Sequence, residues 1–475
     1  MNAMRRTHLL AVLAVTATIA ACGAPGGDDE GGAAGSAGAG SGGRAAVDAA
    51  DCPVDALESA EGPVEIDFWH SMTAANEETL AAMTEDYNAS QDRVRVNLAF
   101  QGTYDESSDK FVTALRGGDL PGLVQLEETR LQLMIDSGAV LPAQACVEAD
   151  DYDLSDHLEV VLDQFTVEEV LWPMPFNVSS PLLYYNTKAF ERAGLDPDAP
   201  PTTFEELRQA SEALVAAEAS RTGFALELSP GYIEQWLAKA DETLVDNDNG
   251  RSDRATATRL DQPIVSEVYE FLDGLIEDGL ATSVGRNPTG ADHLLAIASG
   301  DAAMTIASSA ALGSAFALLD SGNYPGVGAG VAPFPGPDEG GVLVGGASLY
   351  LVDKGISDEQ KAASWDFAKW LNEPEQQARW HVGTGYIPIR KSAATVAEVT
   401  TQWEERPQFR VAYDQLLDDG ANFGGPVIGP YKEVREAVTS SLERMVVEDQ
   451  PPDQALAAAK DAADAAITDY NDRVG

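Results

Sequence analysis

The chain has 475 residues, with 78 acidic against 30 basic side chains and a formal charge of −48. That excess repels nucleic acid and anionic lipid headgroups and excludes both as partners, and acid spread over a whole chain serves solubility without naming a ligand. From Asp51 onward the length suffices for two domains with sizeable cores.

Residues 1–22 read as an export signal. Arg5 and Arg6 precede an apolar run, Leu9 to Ala21, that is too short to span a bilayer as a permanent helix. The run ends in Ile19-Ala20-Ala21-Cys22, which resembles the lipobox of bacterial lipoproteins. Acylation at Cys22 would hold the chain on the outer face of the cytoplasmic membrane. Residues 23–50 are almost entirely Gly, Ala, Ser and Asp, a flexible tether with an expected reach of about 30 Å. Cys52 and Cys146 remain. In an exported chain they suggest a disulfide, with two free buried thiols as the other reading.

From Pro63 the pattern is α/β. VEIDFWHSM sets Val64, Ile66 and Phe68 on one face of a strand ending at His70 and Ser71. Leu80, Met83 and Tyr87 then recur at helical spacing, and Val94, Val96 and Leu98 alternate again. Strand, helix and strand in that order predict a parallel sheet. Capping boxes are expected at Thr203 with Glu206 and at Ser357 with Gln360. The loop Asp246 to Gly250 reads as a solvated turn.

The sequence carries no phosphate-binding loop, no H-E-x-x-H and no G-x-S-x-G, and its five histidines have no metal-ligand spacing. No enzyme chemistry, metal or cofactor is predicted. A secreted hydrolase would need opposed carboxylates, and only the sequence neighbours Glu127 and Glu128 offer themselves.

Four motifs carry a resemblance. They are Phe68-Trp69-His70-Ser71-Met72, Pro175-Phe176-Asn177 through Tyr184-Tyr185-Asn186, Gly345-Gly346-Ala347-Ser348-Leu349, and Trp380-His381 followed by Thr384-Gly385-Tyr386-Ile387-Pro388. In this order they resemble the family 1 extracellular solute-binding proteins of ABC importers, and among them the glycerol-phosphate binders. The resemblance implies a two-lobe, type II periplasmic-binding-protein fold with three hinge crossings, near Pro175, near Tyr324 to Val331 and near Asn372. One lobe would take residues 51–174 and 326–372, the other 175–325 and 373–475. It also implies a monomer that captures a small polar solute by hinge closure and passes it to a membrane permease.

Carried over residue by residue, the ligand set is Tyr104, Glu128 (or Glu127), Ser179, Ser308, Gly346 and Tyr386, with Ser229 and Tyr232 at the positions of the family's aromatic pair, Trp236 one helical turn on, and Ser71 at the end of the first strand. Such a set is chemically coherent: a carboxylate accepts from polyol hydroxyls while hydroxyls and a backbone N–H donate. The family's phosphate-clamping Arg falls on Val427, which cannot hold a phosphate. Arg390, Lys432 and Arg435 are the cations left to replace it. The expected ligand is therefore glycerol-phosphate-like, a glycerophosphodiester or a neutral oligosaccharide.

Overall fold

The computed structural model describes residues 47–287, 290–337, 340–418 and 424–474. The signal, Cys22 and the tether up to residue 46 lie outside the described residues. The folded body begins slightly before Asp51, because Ala49–Asp51 form a helical turn capped by Asp48. Among the described residues no helix is long and apolar enough to cross a membrane.

Alternation builds the first sheet. In β1 (Val64–His70) Ile66, Phe68 and His70 are buried while Glu65 and Asp67 face solvent, the period of two that a half-buried strand requires. Helix α1 (Ala74–Ser90) buries Leu80, Met83 and Tyr87, and β2 (Val94–Phe100) returns parallel to β1. Helix α2 (Tyr104–Gly117) opens on a capping box between Thr103 and Glu106, which the sequence reading missed and which fixes Tyr104 at the helix start. The box at Ser357 and Gln360 forms as expected. At Thr203 only half forms, since the Glu206 carboxylate accepts from Thr202 instead.

After β3 (Leu123–Glu127), the two-residue β4 (Val140–Leu141) and helix α3 (Glu159–Phe165) comes β5 (Met174–Ser179). The second sheet holds β6 (Pro181–Asn186), β7 (Phe224–Glu227), β8 (Ala281–Gly285), β9 (Met304–Ser308) and β10 (Ala329–Pro333), in the order β8-β7-β9-β6-β10. Strand β11 (Gly345–Val352) then rejoins the first sheet, whose order is β2-β1-β3-β11-β4 with β5 also paired to β11. One apolar core lies under the second sheet, and the core under the first sheet also takes in Leu182 and Tyr184 of β6 and Ala307 of β9.

Strand pairing shifts the crossings away from where the sequence reading puts them. β5 still belongs to the first sheet, so the first passage is at Ser180, the single residue between β5 and β6. β10 belongs to the second, so the next passage falls between Pro333 and Gly345. Beyond Asn372, helix α4 (Pro374–Thr384) packs on α1, Ile387 bridges to Val178 and Arg390 to His157. The chain thus stays with the first half past Arg390. Every residue from Met174 to Tyr185 is buried, and no periodicity marks the change of sheet inside that run. Asn372 braces this region, its amide donating to the carbonyls of Pro175 and Ala368, both at 3.0 Å.

Cys52 and Cys146 are joined in a disulfide with Cα atoms 5.0 Å apart. The loop Asp246 to Gly250 is not a solvated turn. Asn249 is buried with its oxygen accepting from the N–H groups of Leu244 and Val245, and its amide donates to Gly424.

Candidate functional site

Where the two sheets meet, a cavity of about 220 Å³ is walled by Glu128, Gln164, Ser179, Tyr232, Glu234, Ser308 and Arg435. The connectivity explains the convergence. Glu128 follows the end of β3, Ser179 ends β5 and Ser308 ends β9, so these ends aim at one crevice, where α/β sheets commonly bind ligands. Tyr232 lies in the first turn of helix α5 (Pro230–Lys239), with Glu234 just beyond it.

Arg435, on helix α6 (Tyr431–Glu448), is the guanidinium of this cavity, and it is already engaged. Its Nε and Nη2 donate to the two oxygens of Glu234 at 2.9 and 2.8 Å, and its plane lies over the Tyr431 ring at 5.0 Å. Tyr431 adds a hydrogen bond to the same carboxylate at 3.0 Å. Glu128 approaches Arg435 only to 3.7 Å, and its Oε2 is buried with no hydrogen-bond partner. Burial, and then the neighbouring Glu127, push the Glu128 carboxyl up to about 8, with Arg435 opposing them.

A hydroxyl network lies beside the cavity. Gln125 donates to the Asn177 oxygen at 2.9 Å, and the Asn177 amide donates to the Tyr104 hydroxyl at 3.1 Å. Burial first, and the charge of Glu127 with it, hold the Tyr104 phenol well above its usual range, so it stays protonated. Asn177, a polar residue inside the buried strand β5, is therefore satisfied rather than a defect. A wider cleft of about 900 Å³ shares Ser229 and Arg435 with the first cavity and is lined by Tyr104, Glu127, Arg130, Arg286 and Lys432. Three of its cations face carboxylates: Arg130 meets Asp105, Lys432 meets Asp109 and Arg286 grips Glu436 and Glu443, while Arg444, also on its wall, has its Nε buried without a partner.

The expected residues thus divide. Glu128, Ser179, Ser308 and Tyr232 line the smaller cavity, Tyr104 and Glu127 the wider cleft. Ser308 also caps the next turn by accepting from Ala310 at 3.2 Å. Trp236 does not reach the cleft. It is buried in the core against Phe204 and Phe334, with its indole N–H on the Pro335 carbonyl at 3.0 Å. Gly346 does not line it either: at φ +105° an added Cβ would lie 2.2 Å from the Asn177 carbonyl, so this glycine serves the β5 to β11 crossing, and its neighbour Gly345 is the one at the cavity. Ser71 donates its N–H to Gln125 at 3.2 Å, and Tyr386 stacks on Trp380 at 5.4 Å, both behind the cavity wall.

Val427 is buried in an apolar cluster with Leu126 and Tyr350, its side chain turned from any ligand. Of the candidate substitutes, Arg390 pairs with Asp156 and Lys432 with Asp109, while Arg435 alone lines the smaller cavity. The sequence reading missed Gln164, Glu234 and Tyr431. Tyr431 and Arg435 stand one helical turn apart, a cation–aromatic pair whose spacing is visible in the sequence.

A family model for bacterial extracellular solute-binding proteins matches residues 82–410. The chain belongs to that family. The sn-glycerol-3-phosphate-binding periplasmic protein UgpB of Yersinia pestis bv. Antiqua is 29% identical over 411 residues, 84% of this chain and 91% of that protein. The protein of the same description from Rhizobium meliloti is 28% identical over 417 residues, 86% of this chain and 95% of its own. Among solved structures, UgpB from Mycobacterium tuberculosis in complex with glycerophosphocholine superposes with a TM-score of 0.70 at 23% identity, covering 86% of this chain and 99% of that one. The GacH receptor of Streptomyces glaucescens, solved unliganded and with acarbose, gives 0.72 at 21% identity, covering 86% and 99%. The fold is that of the type II periplasmic binding proteins.

Proposed function

We propose that this chain is the lipid-anchored receptor of an ABC importer, capturing a small hydroxyl-rich solute between its two halves and delivering it to a membrane permease. The observation that carries the reading is the cavity at the sheet junction, where a Glu128 with one buried, unpartnered oxygen shares the wall with Ser179, Ser308 and Tyr232. An unpartnered buried acceptor costs stability unless something donates to it, and polyol hydroxyls are suitable donors.

The connectivity supports hinge closure. The halves are joined at Ser180, between Pro333 and Gly345, and beyond Arg390, and they also touch through side chains. Arg254 grips Asp136 at 2.6 and 3.0 Å, and Arg251 donates to the carbonyls of Asp163, Gln164 and Thr166. Few covalent crossings and polar, separable contacts suit a clamp.

The solute class is glycerol-phosphate-like, a glycerophosphodiester or a sugar, as the relatives' ligands suggest. The loss of the clamping Arg at Val427 favours the less charged members. Thermal shift and calorimetry with glycerol 3-phosphate, glycerophosphocholine and maltose test the reading, since a ligand bound only by the folded state raises Tm. A rise with any of them supports it; no rise with any, or turnover of any by pure protein, overturns it. Anchoring is tested separately: Cys22→Ser should release the chain from the membrane fraction.

A further inference from the structure

Gln164 sits at the C-terminal end of helix α3 and is only 1% exposed. Its side-chain oxygen accepts the Gly425 N–H at 2.7 Å, and its Nε2 has no partner although the residue lines the cavity. The amide cannot be turned round, because an N–H must meet the oxygen end. Gly425 is also close enough that an added Cβ would lie 3.2 Å from both Gln164 side-chain ends. Arg251 fastens the arrangement, donating through Nε to the Gly425 carbonyl and through Nη2 to the Gln164 carbonyl, both at 2.9 Å. A buried donor is thus held by three segments and left with nothing to donate to.

We propose that Gln164 is a ligand-contacting residue, and that its amide N–H together with the free Glu128 oxygen reads an uncharged polyol and selects against a phosphate monoester. The inference rests on the binding reading above and adds to it the chemistry of this subsite. The segment Gly425 to Gly429, which turns Val427 into the core, offers a neutral donor through Gln164 in place of a cation. The guanidinium within reach, Arg435, gives its Nε and Nη2 to Glu234, and its Nη1 stands 3.9 Å from Glu127. A dianion placed here would have to compete with Glu234 and Glu127 for Arg435, whereas a diol can accept from Gln164 and donate to the unpartnered Glu128 oxygen. The diol can belong to a sugar ring or to the glycerol end of a phosphodiester, and these share one chemistry.

The test is calorimetry on the full chain with maltose, glycerophosphocholine and glycerol 3-phosphate. Wild type should bind maltose or glycerophosphocholine at least tenfold tighter than glycerol 3-phosphate, and which of the two binds identifies the source of the diol. Gln164→Glu keeps the oxygen that meets Gly425 and exchanges the amide donor for a carboxyl oxygen; assayed over a pH series, it should weaken the preferred probe at least tenfold where that carboxyl is ionised, with the variant shown to be folded by its unliganded melting curve. Gln164→Ala should weaken it likewise but also lower Tm. Unchanged affinity in Gln164→Glu, or a wild type that prefers glycerol 3-phosphate, overturns the inference while the binding reading stands. Failure of all probes on wild type overturns the binding reading itself, and this inference with it.

Discussion

Arg435 and Glu234 meet in a two-point ion pair, Nε to one oxygen and Nη2 to the other at 2.9 and 2.8 Å. The pair is largely buried, with the Glu234 side chain 7% exposed. Such a fork fixes the guanidinium plane and commits its Nε and Nη2 to the protein. Glu234→Gln should free one edge of Arg435 and tighten glycerol 3-phosphate by about tenfold, about 1.4 kcal/mol. Calorimetry on the two proteins checks it; equal or weaker binding in the variant would mean that Arg435 does not face the phosphate.

Glu128 gives a pH dependence with a definite sign. Its folded carboxyl is pushed up to about 8, above its ordinary range, by burial and by Glu127, against Arg435 and alongside Glu234. The ionised form is therefore the costly one in the folded state. This contribution to stability is fully present below the ordinary carboxylate range and is lost as pH rises from there through about 8, an interval in which the unfolded carboxyl is ionised and the folded one is still protonated. Denaturant unfolding at about pH 6 and about pH 8.5 should show Glu128→Gln losing less stability over that interval than wild type. An identical loss in both would assign the dependence elsewhere.

The Cys52–Cys146 bridge closes a loop of sequence separation 94. A loop of that length makes the crosslink worth roughly 2–5 kcal/mol through the unfolded chain. Cys52→Ser with Cys146→Ser should lower stability by about that much while leaving ligand affinity unchanged, because both sulfurs are remote from the cavity walls. Unfolding curves with and without reductant supply the check.

Gly346→Ala places a Cβ against the Asn177 carbonyl at a left-handed φ of +105°. Strain of this kind costs on the order of 1–3 kcal/mol before the clash is added. The variant should therefore melt lower, and its binding should weaken with it, since β11 carries Gly345 at the cavity and β5 carries Ser179. A Tm equal to wild type would contradict the strand pairing described.

Much of this architecture can be read in the residues. Period two in β1 and β2, helical spacing in α1 and the run of strand and helix identify the α/β class, and the ordered motifs bring Glu128, Ser179, Ser308 and Tyr232 to one place. What escapes has physical causes. Tyr232 and Trp236 share a helical stripe, yet α5 runs inward, so the first meets the cavity and the second the core. Gln164 has an ordinary helical context, and its role depends on Gly425, 261 positions away. The sequence shows that Val427 cannot hold a phosphate, but only the packing around it reveals that its loop supports another donor.

Ser180 belongs to neither sheet and links both, with Ser179 at the cavity on one side and Pro181 on the other. Should the halves turn about this point as proposed, a guest resting on Ser179 sits almost on the pivot itself. Small displacements there become large ones at the far rims, as at the tips of a pair of tweezers squeezed near the joint. A solute of few atoms could then reshape the outer face that a permease touches, without ever approaching it.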